Sequence, residues 1–546
     1  MKKRGLAVIL IITMISTVFS GCGSSKSEAA QSTQSADTSG KKNITISNTA
    51  DLSTLDNTVA VTGEDMTVIQ NVVEGLYRTT TTGVEPAGAT SVAVSDDKLT
   101  YTFTLRDEKW SDKTPVTAYD YEYSWKRLAN PSVGAEYAYM LVSAGIKNAN
   151  DVCFKNADIN TLGVKATDDK TLVVTLDHAV PYLDSLLTGT YFAPIEKAFA
   201  EKQGSQFGLS KDNVVYNGPY TVFDWQVGGD TVVLQKNPNY WDASNVKADK
   251  LTFKTIKDAQ SGVLAYESKE LDYVTISGDL VAKYKNSKEY HSSVARMLYY
   301  LQPNTTALGF ENADLRKAFA LAFNKQSIVD NILKNGSIPA DFLIVKSLAS
   351  GIDGKTFRDA ANQTYLETDK SKALDYYNKA KQETGKSSFT FELLYDDDDT
   401  TSQIAQFIQS EIQNTLPGVT ITLKSQPKKN RIELQKSGNF QLAISRWGAD
   451  YNDPSTYFDI FTTTGSYNFG KWSNSQYDQL VSSASNQLIN SPQDRLNAYI
   501  KAEKIILDDA AILPIYQLGS AYLLKSNITV QQSVDGNNIW RTAKIK

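Results

Sequence analysis

Histidine and cysteine are almost missing from this chain of 546 residues, which has two of each and only five methionines. His178 and His291 stand far apart in sequence, so no zinc-ligand spacing exists, and neither a metal nor any other cofactor is expected. Catalytic signatures are missing too. No G-x-S-x-G elbow occurs. Ser425-Gln-Pro-Lys428 fits S-x-x-K, but no K-T-G accompanies it. Gly385-Lys386-Ser387 ends like a phosphate-binding loop, yet Ala380 stands where its first glycine belongs, and a strand pattern follows. No catalytic residue is assigned, and the chain is not read as an enzyme. Positive charge is short as well: the formal net charge is −5, and losing Lys2, Lys3 and Arg4 with a leader takes it to −8. That balance argues against nucleic acid as a partner, which would want a basic face.

Long apolar runs are also lacking, with one exception. Leu6 to Phe19 is apolar and follows Lys2-Lys3-Arg4, which is short for a membrane span and right for the core of a signal peptide. Ser20-Gly21-Cys22 then resembles a lipobox, with Phe19 where the usual pattern has leucine. Residues 1–21 are read as a lipoprotein signal peptide and Cys22 as the lipidated residue, which anchors the body to the extracytoplasmic face of the cell membrane by lipid alone. Residues 22–42 are mostly Ser, Gln, Ala, Gly, Lys and Thr without apolar periodicity, a flexible tether spanning roughly 25 Å. Cys153, left without a partner, is expected to be a buried, inert thiol.

Aromatics are plentiful: 29 Tyr and seven Trp favour surfaces that stack and hydrogen-bond over metal or proton-transfer chemistry. The length exceeds what one core holds, so at least two lobes are expected. Leu99 to Leu105 alternates as a half-buried or edge strand, and Thr117 with Asp120 has capping-box spacing before a helix from Tyr121 to Ala129, stopped by Asn130-Pro131. Phe389 to Tyr395 alternates, Ile404 to Ile412 has helical spacing, and Val419 to Leu423 alternates again, a βαβ unit with parallel strands. Asp396 to Asp399 lies at its strand-to-helix turn, either a solvated loop with one helix cap or an acidic wall of a pocket.

The most informative stretch is Arg446-Trp-Gly-Ala-Asp450-Tyr-Asn-Asp-Pro454, after the strand pattern Phe440, Leu442, Ile444. Asp453 is placed to cap the helix that holds Tyr457, Phe458 and Phe461, with Pro454 as its first residue. Asp450 has no such duty. On local sequence it is equally an Asx-turn residue or a carboxylate set beside Gly448 and Ala449 to meet a cation.

Trp447-Gly-Ala-Asp-Tyr-Asn-Asp-Pro-Ser455 resembles the signature of the peptide-binding proteins of ABC importers, the family-five extracellular solute-binding proteins. Trp110-Ser-Asp-Lys-Thr-Pro-Val-Thr-Ala-Tyr-Asp120 resembles the family's W-S-D-G-T-P-V-T-A-x-D, departing at Lys113. Asn217-Gly-Pro-Tyr220, Trp225 and Asn237-Pro-Asn-Tyr-Trp241 resemble its G-P-Y, W and N-P-x-Y-W. The resemblance implies an α/β, two-lobed periplasmic-binding-protein (Venus flytrap) fold with an extra small domain in the first lobe. On that reading residues 43–83, 206–305 and 514–546 build lobe I, 84–205 its additional lid domain and 306–513 lobe II, with crossings near 306 and 513 forming a hinge. It further implies an oligopeptide ligand, ABC permease subunits as partners, and a monomer. Asp450 matches the aspartate that meets the ligand's α-ammonium in oligopeptide-binding members, and Tyr137 a position that lines the cleft or merely packs. Arg446, Trp447, Gly448, Ala449, Tyr451 and Tyr516 complete the expected ligand-binding set. The same scaffold carries dipeptides, metal chelates or sugars in relatives, and a host-binding surface protein is the alternative of another class.

Overall fold

The computed structural model describes residues 42–546 except 350, 353, 354, 466 and 535, so the signal segment and Cys22 lie outside the described residues. Its main sheet runs through two long strands, Tyr290–Pro303 and Leu513–Leu524, that pair antiparallel with each other. On one side of them lie Leu442–Gly448, Phe389–Asp396 and Val419–Gln426; on the other lie Tyr273–Ile276, Asn43–Asn48, Lys250–Thr255, Thr231–Lys236 and Tyr220–Asp224. Two strands shared by two sets of neighbours make two lobes with a double connection. The helix Asp399–Thr415 links the parallel strands Phe389–Asp396 and Val419–Gln426, because their apolar residues alternate while Ile404, Ile408 and Ile412 recur on one helical face.

A separate four-stranded antiparallel sheet follows in the first lobe, in the order Ala89–Val94, Thr100–Leu105, Thr171–Thr175, Val164–Asp168. Thr100–Leu105 is thus an inner strand, half-buried through Phe103 and Leu105. The helix Ala118–Ala129 packs on this layer and buries Tyr121, Trp125 and Leu128. It starts at a capping box in which the Asp120 carboxylate accepts from the Thr117 amide (2.9 Å) and hydroxyl (3.1 Å). Asn130 ends it and caps the next turn. Cys153 is buried against the same core, and burial alone pushes its thiol up to about 11, so it stays protonated and unreactive.

The second lobe's helix Ala313–Leu321 is capped by Asn312, whose side chain accepts from the Leu315 amide. Its Leu315, Ala318, Phe319 and Ala322 pack under the sheet with Phe310 and Phe391. The lid layer meets the second lobe directly. Tyr182 stacks on Tyr451 with centroids 4.3 Å apart and planes 5° from parallel, and the Asn452 amide donates to Ser185 Oγ at 3.1 Å.

Candidate functional site

The strand Leu442–Gly448 has two unequal edges. One pairs along its length with Tyr290–Pro303, from Pro303 opposite Leu442 to Met297 opposite Gly448. The other pairs with Phe389–Asp396 only at Leu442 and Ala443. From Ile444 onward that second edge carries no strand partner among the described residues, so its amides and carbonyls face the space between the lobes at the carboxyl end of a parallel pair. Gly448 keeps the approach narrow: a Cβ there would sit 3.2 Å from the Met297 methyl and 3.8 Å from the Arg296 carbonyl. The Ala449 amide donates to that carbonyl at 2.8 Å. Trp447 packs against Tyr467 with centroids 4.5 Å apart, and its indole N–H is buried without a partner among the described residues.

Asp450 follows as a half-buried carboxylate. Its amide donates to Thr456 Oγ1 at 3.2 Å, which fixes the backbone. Among the described residues no lysine or arginine pairs with its side chain; the Tyr139 hydroxyl faces it instead. Burial pushes the carboxyl up to about 7, and the facing Tyr139 hydroxyl only partly opposes that rise. Tyr139 belongs to a wall of rings. Tyr137 stacks on Tyr191 with centroids 5.0 Å apart and planes 8° from parallel, and Tyr139 lies 6.0 Å from Tyr137. Burial raises the phenols of Tyr137, Tyr139, Tyr191 and Tyr467, and the Asp450 charge adds to it. Asp450 is therefore a carboxylate in a tyrosine enclosure that contains no counter-ion among the described residues.

Four residues upstream the character reverses. Arg446 accepts no carboxylate to itself: its guanidinium donates to the Tyr299 hydroxyl at 2.9 Å and lies 3.8 Å from Asp396. Asp396 is already bonded by Arg431 Nε at 2.6 Å. Lys428 adds a third cation, its pKa pulled down first by burial and then by Arg446. Of the two readings of Asp396–Asp399, the structure matches the loop with one helix cap and overturns the acidic wall. Asp396 is buried and neutralised by two arginines, Asp398 caps the helix through the Thr401 amide at 2.9 Å, and Asp397 and Asp399 are exposed.

Of the predicted set, Arg446, Trp447, Gly448, Ala449, Asp450 and Tyr137 come together. Tyr451 does not face the same way: it is buried against the lid layer, on Tyr182, with its hydroxyl accepting from Ser455. Tyr516 is 2% exposed and stacks on Tyr299 at 4.4 Å, one ring removed from Arg446. Asp453 stands one residue ahead of the expected cap: Pro454 takes the cap position of the helix Ser455–Phe458, and the Asp453 carboxylate accepts from the Ser455 amide at 3.0 Å in the turn that leads into it. Its second duty was invisible in the sequence: a buried, two-pronged pair with Arg495, both contacts 2.7 Å. Tyr139, Tyr191 and Tyr467 were missed as well. Only Tyr139 left a signal, its spacing of two from Tyr137.

The sequence profile of the bacterial extracellular solute-binding proteins, family 5, matches residues 83–469. The dipeptide-binding protein of Lactococcus lactis subsp. cremoris is 33% identical over 545 residues, covering 97% of this chain and 96% of that protein. The solved structure of Listeria monocytogenes OppA bound to peptide superposes with a TM-score of 0.76 at 33% identity, over 93% of this chain and 100% of that one. Haemophilus influenzae OppA in complex with RPPGFSPFR matches with a TM-score of 0.75 at 27% identity, over 93% of this chain and 99% of that one. The match extends over both lobes and the lid layer, and the chain belongs to the bacterial extracellular solute-binding proteins of family 5.

Proposed function

We propose that this protein captures peptides between its lobes and delivers them to the permease of an ABC importer. The observation that carries the reading is the half-buried Asp450 carboxylate, enclosed by tyrosines and without a cation of its own among the described residues. A peptide's α-ammonium supplies the missing charge. The unpaired strand edge from Ile444 to Gly448 offers main-chain hydrogen bonds that every peptide can use, which suits a receptor for many sequences. A peptide laid antiparallel on that edge with its amino terminus at Asp450 runs toward Arg446 and Lys428. Four residues of strand span about 13 Å, so those cations sit where the carboxylate of a peptide of about four residues arrives. Relatives named for dipeptides and for oligopeptides support the same class of ligand.

In this reading Cys22 carries the lipid that holds the protein on the extracytoplasmic face of the membrane, the protein acts as a monomer, and catalysis has no part in it. The second reading, another solute on the same scaffold, keeps the lobes but has no use for a free carboxylate beside a strand edge. Incubation with mixed peptides and sugars, followed by mass spectrometry of what co-purifies, separates the two and gives the retained length. Peptides with free amino termini are expected; sugars or metal chelates alone would overturn the proposal.

A further inference from the structure

Twelve buried side-chain polar atoms lack a hydrogen-bond partner among the described residues, and four of them gather in one cluster away from the peptide site. They are both carboxylate oxygens of Glu74, Oε2 of Glu108 and the hydroxyl of Tyr121. Glu74 and Glu108 are each 7% exposed and Tyr121 is 0% exposed. Glu74 lies between the helix Gly63–Ile69 of the first lobe and the short strand Tyr77–Thr79, whereas Glu108 and Tyr121 belong to the lid layer. The cluster is the joint between them.

Its charges do not balance. Arg78 approaches Glu74 at 3.5 Å, but it is held closer by Glu85 at 2.6 Å and by Asp242 at 3.1 Å. Arg541 and Tyr240 also face Glu74, and Tyr240 opposes the rise in its pKa without reaching hydrogen-bond geometry. Around Glu108 stand Arg106, Lys170 and Asn217. Arg106 is engaged over the Trp241 ring at 3.7 Å and with the Ala87 carbonyl, and Lys170 with Asp107 and the Arg106 carbonyl. Asp120 adds a further negative charge beside Tyr121. Two buried carboxylates without dedicated counter-charges do not both stay ionised. A metal ion is the poorer remedy. Among the described residues no group of three or more His, Cys, Asp or Glu side chains is placed to hold one, and a Cβ on Gly88 would come within 2.4 Å of the Tyr121 hydroxyl, 2.9 Å of the Gly75 carbonyl and 3.3 Å of Glu108 Oε1, so the Glu108 end of the cluster is closely packed.

We propose that Glu74 and Glu108 hold one proton between them in the folded protein, and that this proton seats the lid layer, with the tyrosine wall of the peptide site, on the first lobe. The protonated carboxyl supplies one donor where only acceptors were left over. Burial, and then the charge of Glu74, push Glu108 up to about 8, in keeping with this state near neutrality. The path to the site is short. Gly75 accepts from the Gly88 amide at 2.9 Å and packs against Leu187 and Ala193. Trp125, one turn after Tyr121, donates to the Phe192 carbonyl at 2.9 Å. Tyr191 stands between those contacts. Glu108 is thus a positioning residue.

The sign follows from the raised value. The stabilisation is fully present below the unfolded carboxyl's ordinary 4.5 and is lost as pH rises through about 8. Glu108→Gln keeps the shape and a donor but has no proton to lose. The thermal midpoints of wild type and E108Q are measured from pH 5 to 10, with the affinity of each for one peptide. The wild-type midpoint is expected to fall relative to E108Q up to about pH 8, with a constant gap beyond. The ratio of affinities, in which the titrations of Asp450 and the peptide amine cancel, is expected to shift in the same window. Midpoints that stay parallel throughout overturn the proposal. So does a rise with added calcium or magnesium in wild type but not in E108Q, which would put an ion in place of the proton. Should E108Q fail to fold, infrared spectroscopy of the Asp450→Asn/Asp459→Asn variant, which removes the two other carboxyls that burial lifts to about 7, is expected to show a protonated carboxyl lost near pH 8, and its absence is equally fatal. The affinity arm rests on the proposed role of the tyrosine wall; the thermal and infrared arms do not, so the two readings fail separately.

Discussion

Lowering the pH should release the ligand, and the size of the effect follows from Asp450. Its carboxyl sits at about 7 in the free protein because burial disfavours the charge and no cation compensates it. A peptide ammonium binds the ionised form, and apparent affinity scales with the fraction of protein in the competent state. Each pH unit below 7 cuts that fraction tenfold. At pH 5 about 1% is ionised, so affinity should be about 100-fold weaker than at its plateau, or about 2.8 kcal/mol. Above about 8 the peptide's own amine loses its proton and affinity falls again. Isothermal titration calorimetry from pH 5 to 9 reads this curve. Buffers of different ionisation enthalpy should also report close to one proton released per peptide at pH 6. Asp450→Asn should flatten the acid limb. An affinity that stays level between pH 5 and 7 with no proton release would refute the reasoning, because it would mean either that Asp450 is already ionised or that it does not meet the ligand.

Other consequences are structural. Arg495→Met leaves the buried Asp453 without its partner and should destabilise the second lobe by about 3–5 kcal/mol in chemical denaturation, while adding Asp453→Leu should recover much of the loss. Two lobes joined by two strands should close by bending, so small-angle scattering should show a smaller radius of gyration with peptide bound, and an unchanged radius would rule out a closing cleft. Cys22→Ala should leave the membrane fraction with binding intact; a variant still extractable only by detergent would mean the leader itself is the anchor.

Local chemistry was legible in the sequence, and contacts between distant segments were not. The βαβ unit of the second lobe and the capping box at Thr117 and Asp120 are written in residues a few positions apart, where periodicity and turn chemistry act directly. The strand end at Arg446 to Asp450 was readable for the same reason. The helix cap in the acidic turn was legible, but the neutralisation of Asp396 was not, because Arg431 and Arg446 lie one strand and one helix away in the fold and dozens of residues away in the chain. Tyr451 looked like its neighbours until Tyr182 arrived from the lid to stack on it. The enclosure of Asp450 joins Tyr139, Tyr191 and Tyr467 from three segments, and no local pattern announces such a meeting.

The central claim is that Asp450 pairs with the amino terminus of a bound peptide. A double cycle tests it most directly, with Asp450→Asn on one axis and acetylation of the peptide's amino terminus on the other, and affinities from calorimetry at pH 7.5. Each change alone should weaken binding by about two to three orders of magnitude, since removing one partner of a buried pair costs roughly 3–5 kcal/mol. Acetylation should cost the variant far less than the wild type, because both changes delete one contact. Losses that simply add would place the ammonium elsewhere and leave Asp450 as a turn residue.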